Sequence, residues 1–233
     1  MNFQELSVQP LSYNATLNPE IWEDNKLIPE VRRKLIQIAE HFVEFLKTPD
    51  LEVKDITISG SNAGYNYSQY SDIDLHIVAD YHPTQAELFT AKKNNYNFVH
   101  DIKIHGIDVE LYVQQAKDTH FSAGIYSVLR NKWISEPQHN PPKVRPEEIK
   151  SKARNYAGQI NQALRSSSLE KAQETMEEIY RLRKAGLESN GEESVENLAF
   201  KLLRARGQID KLRKYINKLQ SAELSLGEQN EDQ

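Results

Sequence analysis

Between residues 29 and 46 apolar side chains recur every three to four positions: Val31, Leu35, Ile38, Phe42 and then Phe45 or Leu46. That spacing predicts an amphipathic helix, for which Pro29 is well suited to the first turn. The period then changes. Val53, Ile56 and Ile58 in VKDITIS predict a short strand, and SDIDLHIVAD predicts a second. HPTQAELFTAKKNNYNFVH reads as a helix. In DIKIHGIDVELYVQ two short strands meet at His105 and Gly106, the second alternating as Ile107, Val109, Leu111 and Val113. GIYSVLRNKWIS reads as a small hairpin. This order of helices and strands predicts an α/β (α+β) domain on one small mixed sheet.

After residue 136 the pattern changes again. Four of the nine prolines (Pro137, Pro141, Pro142 and Pro146) fall within EPQHNPPKVRP. Proline fixes φ, removes a donor and pushes the preceding residue out of the α region, so 137–146 reads as an extended connector. Residues 1–136 form the predicted sheet domain and 147–233 a predicted helical domain. Pro146, Glu147 and Glu148 open its first helix. Ser167 and Glu170 match a capping box before the second. Ser194 is a candidate cap for a third, whose apolar stripe runs through Leu198, Leu202, Ile209, Leu212, Ile216 and Leu219, with Gly207 as a potential break. The expectation is three helices, packed on each other and on the sheet domain, ending in a polar, frayed tail.

Composition narrows the class. The chain has 233 residues and no cysteine, which excludes disulfides, thiolate metal sites and cysteine nucleophiles. No apolar run approaches the ~20 residues of a membrane span, and the N-terminus lacks a signal-peptide layout, so a cytoplasmic protein is expected. The net charge of −5 is unevenly placed. Residues 1–146 hold 14 basic and 19 acidic side chains, and residues 147–233 hold 15 of each.

The chemistry concentrates in ITISGSNAGYNYSQYSDIDLHIVAD. One strand delivers Gly60 and Ser61, and another opens with Asp72, Ile73 and Asp74. Residues i and i+2 of a strand share a face, so Asp72 and Asp74 place two carboxylates side by side. Neighbouring carboxylates repel unless a cation lies between them, and Mg²⁺ prefers such oxygen donors. Glycine permits close backbone approach to a phosphate, Ser61 adds a hydroxyl, and a short helix starting at Ser61 or Asn62 would add N–H groups.

This layout resembles the nucleotidyltransferase superfamily related to DNA polymerase β: a Gly-Ser turn, about ten residues, an Asp/Glu-x-Asp/Glu strand, and a third carboxylate on a later strand. Ten residues separate Gly60-Ser61 from Asp72. Asp108 and Glu110 share one face of IDVELYV, and either suits the third position. The chain also resembles phage-type predicted nucleotidyltransferases in SGSNAGYNYSQYSDIDLHI, GIDVELYVQ, SAGIYSVLRNKWI and GEESVENLAFKLLR, and a recurring Val-Glu-Leu-Tyr-Val string there favours Glu110. The resemblance implies a magnesium-dependent, NTP-binding (ATP-binding) transferase. Asp72, Asp74 and Glu110, or Asp108, would hold two Mg²⁺ or Mn²⁺ ions, and Gly60, Ser61, Asn62 and Ser71 would bind the nucleotide. A nucleoside monophosphate would pass from an NTP to a hydroxyl of RNA, a small molecule or a protein, releasing pyrophosphate. If phage-encoded, the chain would work in the host cytoplasm.

Plainer readings stand beside these. Gly60 and Ser61 also suit a tight turn and a cap, Asp72 and Asp74 a solvated acidic edge, and His76 a satisfied polar residue. Tyr65, Tyr67 and Tyr70 either stack on a base or pack their loop down. Ser122, Gly124, Tyr126 and Ser127 either reach the cleft or form a loop that packs against the helical part, with Trp133 as its anchor. Lys201, Arg204, Arg206, Lys211, Arg213, Lys214 and Lys218 oppose one acid, Asp210. That stripe either neutralises RNA phosphates, with Arg181, Arg183 and Lys184 extending it, or is a solvated helix face. The alternative function is a catalytically inactive nucleotidyltransferase fold that binds RNA or a partner.

Overall fold

The computed structural model describes residues 13–49, 51–118, 122–139 and 145–226. The polar C-terminal tail beyond 226 and connector residues 140–144 lie outside these. The described residues fall into two compact units, one within Ser12–Pro141 and one within Pro142–Gln233.

The first unit begins with a hairpin absent from the sequence reading, β1 (Trp22–Glu23) and β2 (Lys26–Leu27). Asp24 and Asn25 take φ of 47° and 62° between them, the turn chemistry that tight hairpins demand. Helix α1 (Pro29–Leu46) buries Val31, Leu35, Ile38, Ala39, Phe42 and Leu46, the predicted stripe, and stops where Lys47 adopts a left-handed conformation. Then follow β3 (Glu52–Ser59), β4 (Ile73–Asp80), α2 (Ala86–Val99), β5 (Lys103–Ile104), β6 (Ile107–Gln115), β7 (Ile125–Ser127) and β8 (Lys132–Ser135).

Strands β3 to β8 form one mixed six-stranded sheet in the order β5-β6-β4-β3-β7-β8. β3 and β4 run antiparallel, whereas β4 and β6 run parallel through the α2 crossover. Alternation then sorts the faces. Ile73, Leu75 and Ile77 of β4 and Val109 and Leu111 of β6 are buried in a core with Leu35 and Phe42 of α1 and Phe89 and Tyr96 of α2. Each fully buried aliphatic or aromatic side chain contributes about 1.5–3 kcal/mol. Asp74, His76, Glu110 and Tyr112 are left to the opposite face.

Strand β5 pairs β6 only at Lys103 with Asp108 and Ile104 with Ile107. Further along, Asn97 of α2 continues that edge: its Nδ2 donates to the Leu111 carbonyl at 3.0 Å and its Oδ1 accepts from the Leu111 N–H at 3.1 Å. A side-chain amide thus takes the place of a neighbouring strand's backbone.

The second unit is wholly helical among its described residues, but it has four α-helices where three were expected: α3 (Pro146–Arg165), α4 (Leu169–Asn190), α5 (Val195–Ala205) and α6 (Gln208–Leu224). Gly207, with φ of 68°, breaks the long apolar stripe into α5 and α6. The cap of α4 is also corrected. Ser168, rather than Ser167, accepts from the Lys171 N–H, while Ser167 is itself left-handed. Ser194 caps α5 as expected, accepting from the Asn197 N–H. The core joins Ile149, Tyr156 and Ile160 of α3, Ile179 of α4, Phe200 and Leu202 of α5, and Ile209 and Leu212 of α6. Among the described residues no helix is long and apolar enough to cross a membrane.

Asn97→Ala should cost about 1–3 kcal/mol in urea unfolding, because the Leu111 N–H and C=O lose their partners together. An unchanged midpoint would show that water serves that edge equally well.

Candidate active site

β3 ends at Ser59 and the chain turns at Gly60, whose φ of 73° is rarely adopted by an L side chain. Space imposes a second demand. A Cβ at Gly60 would lie 1.8 Å from Asp74 Oδ2. The room opened by this glycine is therefore filled by the Asp74 carboxylate.

Ser61–Ala63 make one 3-10 turn. Within it Asn62 is fully buried. Its Nδ2 donates to the Asp72 carbonyl at 2.8 Å and its Oδ1 accepts from Asn18 at 2.9 Å. The Asn62 carbonyl accepts from the Trp22 indole at 2.7 Å, so the unpredicted hairpin braces the motif. Its side chain thereby locks the two motif halves together. Ser61 and Ser71 are half-buried. Ser61 Oγ donates to Ser71 Oγ at 2.9 Å, and Ser71 Oγ accepts from the Ser68 N–H at 2.9 Å, closing the loop between strands.

The aromatic residues of that loop divide. Tyr65 packs with Tyr13 and His139, at ring-centroid distances of 6.1 and 4.7 Å, whereas Tyr70 is exposed. The segment after β6 also divides. Ser122 Oγ accepts from the Gly60 N–H at 2.9 Å, so the chain does return to the turn. Gly124 closes against it, since a Cβ there would meet the Ala63 carbonyl oxygen at 2.1 Å. Tyr126 and Ser127 are buried in β7, Tyr126 against Trp22 and Trp133 and Ser127 donating to Asp55 at 2.8 Å.

Strand register brings the carboxylates together. Asp74 faces Ser59 on one side and Glu110 on the other, with Asp72 two residues before it. One carboxylate oxygen from each of Asp72, Asp74 and Glu110 lies within 4.8 Å of the others. Asp108 is not in this group. It is exposed in the β5–β6 hairpin and bound to Lys103, which also pairs with Asp101 at 2.8 Å. Three carboxylates, one just before β4 and one on each of the adjacent strands β4 and β6, form a set of hard oxygen donors at a spacing that fits a divalent cation such as Mg²⁺ or Mn²⁺.

Two residues beside this group were not singled out in the sequence. Tyr112, two positions after Glu110, hydrogen-bonds the Glu110 carboxylate; burial first, then the charges of Asp74 and Glu110, push its phenol well above its ordinary value. It remains protonated, as a donor. His76 stacks on Tyr112 with centroids 4.9 Å apart and bonds Ser59 Oγ through Nε2 at 3.0 Å, as a satisfied polar residue. Lys93 of α2 places its ammonium 3.3 Å from Glu110 Oε1 and 4.2 Å from the Tyr112 ring centroid. The i+2 position of Tyr112 was a readable signal. Lys93 had none, because only the fold brings α2 to this edge.

No family model matches the chain, and no curated protein matches it in sequence. Among solved structures, a STING-associated CdnE c-di-GMP synthase from Capnocytophaga granulosa is similar at 15% identity over 84% of each chain, with a TM-score of 0.25. A likeness that weak carries no argument, so the reading of this chain stands on its own residues.

Gly60→Ala should cost about 1–3 kcal/mol from the left-handed φ. It should also drive the Asp74 carboxylate out of the group and abolish Mn²⁺ binding measured by titration. Retained Mn²⁺ affinity would mean that Asp74 does not need the space at Gly60.

Proposed function

We propose that this chain is a metal-dependent nucleotidyltransferase, which moves a nucleoside monophosphate from an NTP to a hydroxyl acceptor. The observation that carries this reading is the convergence of Asp72, Asp74 and Glu110 beside the Gly60-Ser61 turn. An acidic strand edge of purely solvated residues would not demand a glycine to make room for one of its carboxylates, as Gly60 does for Asp74. The convergence favours turnover over the inactive binding module.

Asp72, Asp74 and Glu110 would hold divalent ions, which supply Lewis-acid activation of a hydroxyl and neutralise triphosphate charge when bound. Asp72 and Asp74, two residues apart, fix the spacing of the donors. The Tyr112 phenol orients Glu110 by donating to its carboxylate. Ser61 and Ser71 offer hydroxyls beside the turn for the triphosphate, their mutual hydrogen bond fixing where those oxygens lie. In the overall change the acceptor oxygen forms a bond to the α-phosphorus, the α–β anhydride breaks, and the acceptor proton and pyrophosphate leave. Catalysis of this kind is positioning and charge neutralisation.

The acceptor class is open to RNA, a small molecule or a protein. In the helical unit Lys201 pairs with Glu192 at 3.5 Å, and Arg213 with Asp210 and the Tyr180 hydroxyl, each at 3.0 Å. Arg183 bonds Asn197 at 3.0 Å and covers the Phe200 ring at 4.4 Å. Lys211, Lys214 and Lys218 are exposed on α6, and these support an RNA end as acceptor.

Incubation with α-labelled NTPs, Mg²⁺ or Mn²⁺ and a broad acceptor set of RNA, small hydroxyl compounds and lysate protein should give label transfer. Asp72→Asn with Asp74→Asn should reduce it at least about a hundredfold. Transfer that survives the double substitution would remove the catalytic assignment.

A further inference from the structure

Lys93 and Asn97 are four residues apart in α2 and so lie on one face of it. Asn97 is fixed to the backbone of Leu111 by two hydrogen bonds. One turn earlier, Lys93 is thereby held level with Glu110 and Tyr112, the residues on either side of Leu111. Its side chain is 18% exposed and that of Glu110 33%, so the pair is partly withdrawn from water and is not a solvated surface contact. The ring of Tyr112 supports the ammonium on a second side, 4.2 Å away.

We infer that Lys93 is a built-in counter-ion of the carboxylate group, which occupies Glu110 at rest and competes with a divalent cation for it. This rests on the metal-centre reading above and adds a property to it. With Lys93 in place, a positive charge lies against Glu110, so the group attracts a free divalent ion less than it would without that ammonium. A metal ion that takes Glu110 as a ligand must share that carboxylate with the ammonium or displace it. Lys93 is a positioning residue in this account: it acts through Glu110 and touches no reacting atom. The consequence is a site that tolerates being without metal and discriminates against loose cations.

The test titrates Mn²⁺ into the full chain and follows free Mn²⁺ by electron paramagnetic resonance, with no nucleotide present. Lys93→Met and Lys93→Gln should each bind Mn²⁺ about tenfold more tightly than the wild type, and Lys93→Arg should stay near the wild type. A merely structural lysine would not tighten metal binding when removed. In EDTA the order should reverse: Lys93→Met should melt at a lower temperature, and adding Glu110→Gln to the same chain should recover much of the loss. Wild-type binding with unchanged or weaker affinity in both neutral variants would overturn the inference and leave the metal centre standing. No Mn²⁺ binding by any of the chains would overturn the metal-centre reading and this inference with it.

Discussion

Mutual repulsion of three carboxylates is the constraint around which the first unit is arranged. At about 4 Å a pair of like charges costs roughly 1 kcal/mol in bulk water and about 4 kcal/mol at an effective dielectric near 20. Asp72, Asp74 and Glu110 have an oxygen each within 4.8 Å of the others, so the fold must supply that energy from elsewhere. It does so through the sheet. Ile73, Leu75, Val109 and Leu111 alternate with the acids and are buried on the opposite face, so the register that satisfies the core is the register that crowds the carboxylates. A slip by one residue would relieve the charges only by turning the whole apolar set outward.

The glycine takes on a different meaning in that setting. Read along the chain, Gly60 looks like room for a phosphate. In the fold, Asp74 Oδ2 fills the position of its missing Cβ. The Gly-Ser turn and the Asp-x-Asp strand are therefore one unit, and Asn62 ties it shut by bonding the Asp72 backbone across the ten-residue gap. The gap then needs to fold on itself rather than extend, which it does through the Ser61, Ser68 and Ser71 bonds and the packing of Tyr65 on Tyr13 and His139.

What could be read in advance follows from the range of each interaction. The α1 stripe, the β4 and β6 alternation and the Ser194 cap are local patterns, and each has the place expected of it. The triad was legible as two acids at i and i+2 plus a choice between Asp108 and Glu110. The resemblance favoured Glu110, and the fold brings Glu110 to Asp72 and Asp74 while Lys103, across a two-residue pairing, engages Asp108. The bracing part of Asn62 and the place of Lys93 were not legible because their partners lie at long range: Asn18 and Trp22 for one, Glu110 and Tyr112 for the other. The count of helices turned on a single residue, since the α5–α6 stripe is continuous in sequence and only the left-handed backbone of Gly207 divides it.

The same helix answers two unrelated demands. β5 is too short to cover β6, and an uncovered strand edge presents unpaired backbone groups that invite association with other chains. α2 covers that edge with an asparagine side chain rather than a strand, a solution that needs one residue at one helical position. Once Asn97 is fixed there, helical geometry alone dictates which residue lies one turn away, and that residue is a lysine beside Glu110. An apolar residue at position 93 would serve the edge equally well and leave Glu110 without the ammonium beside it. The charge at 93 is thus explained by the acids and not by the packing of α2, which separates what the helix does for the sheet from what it does for the site.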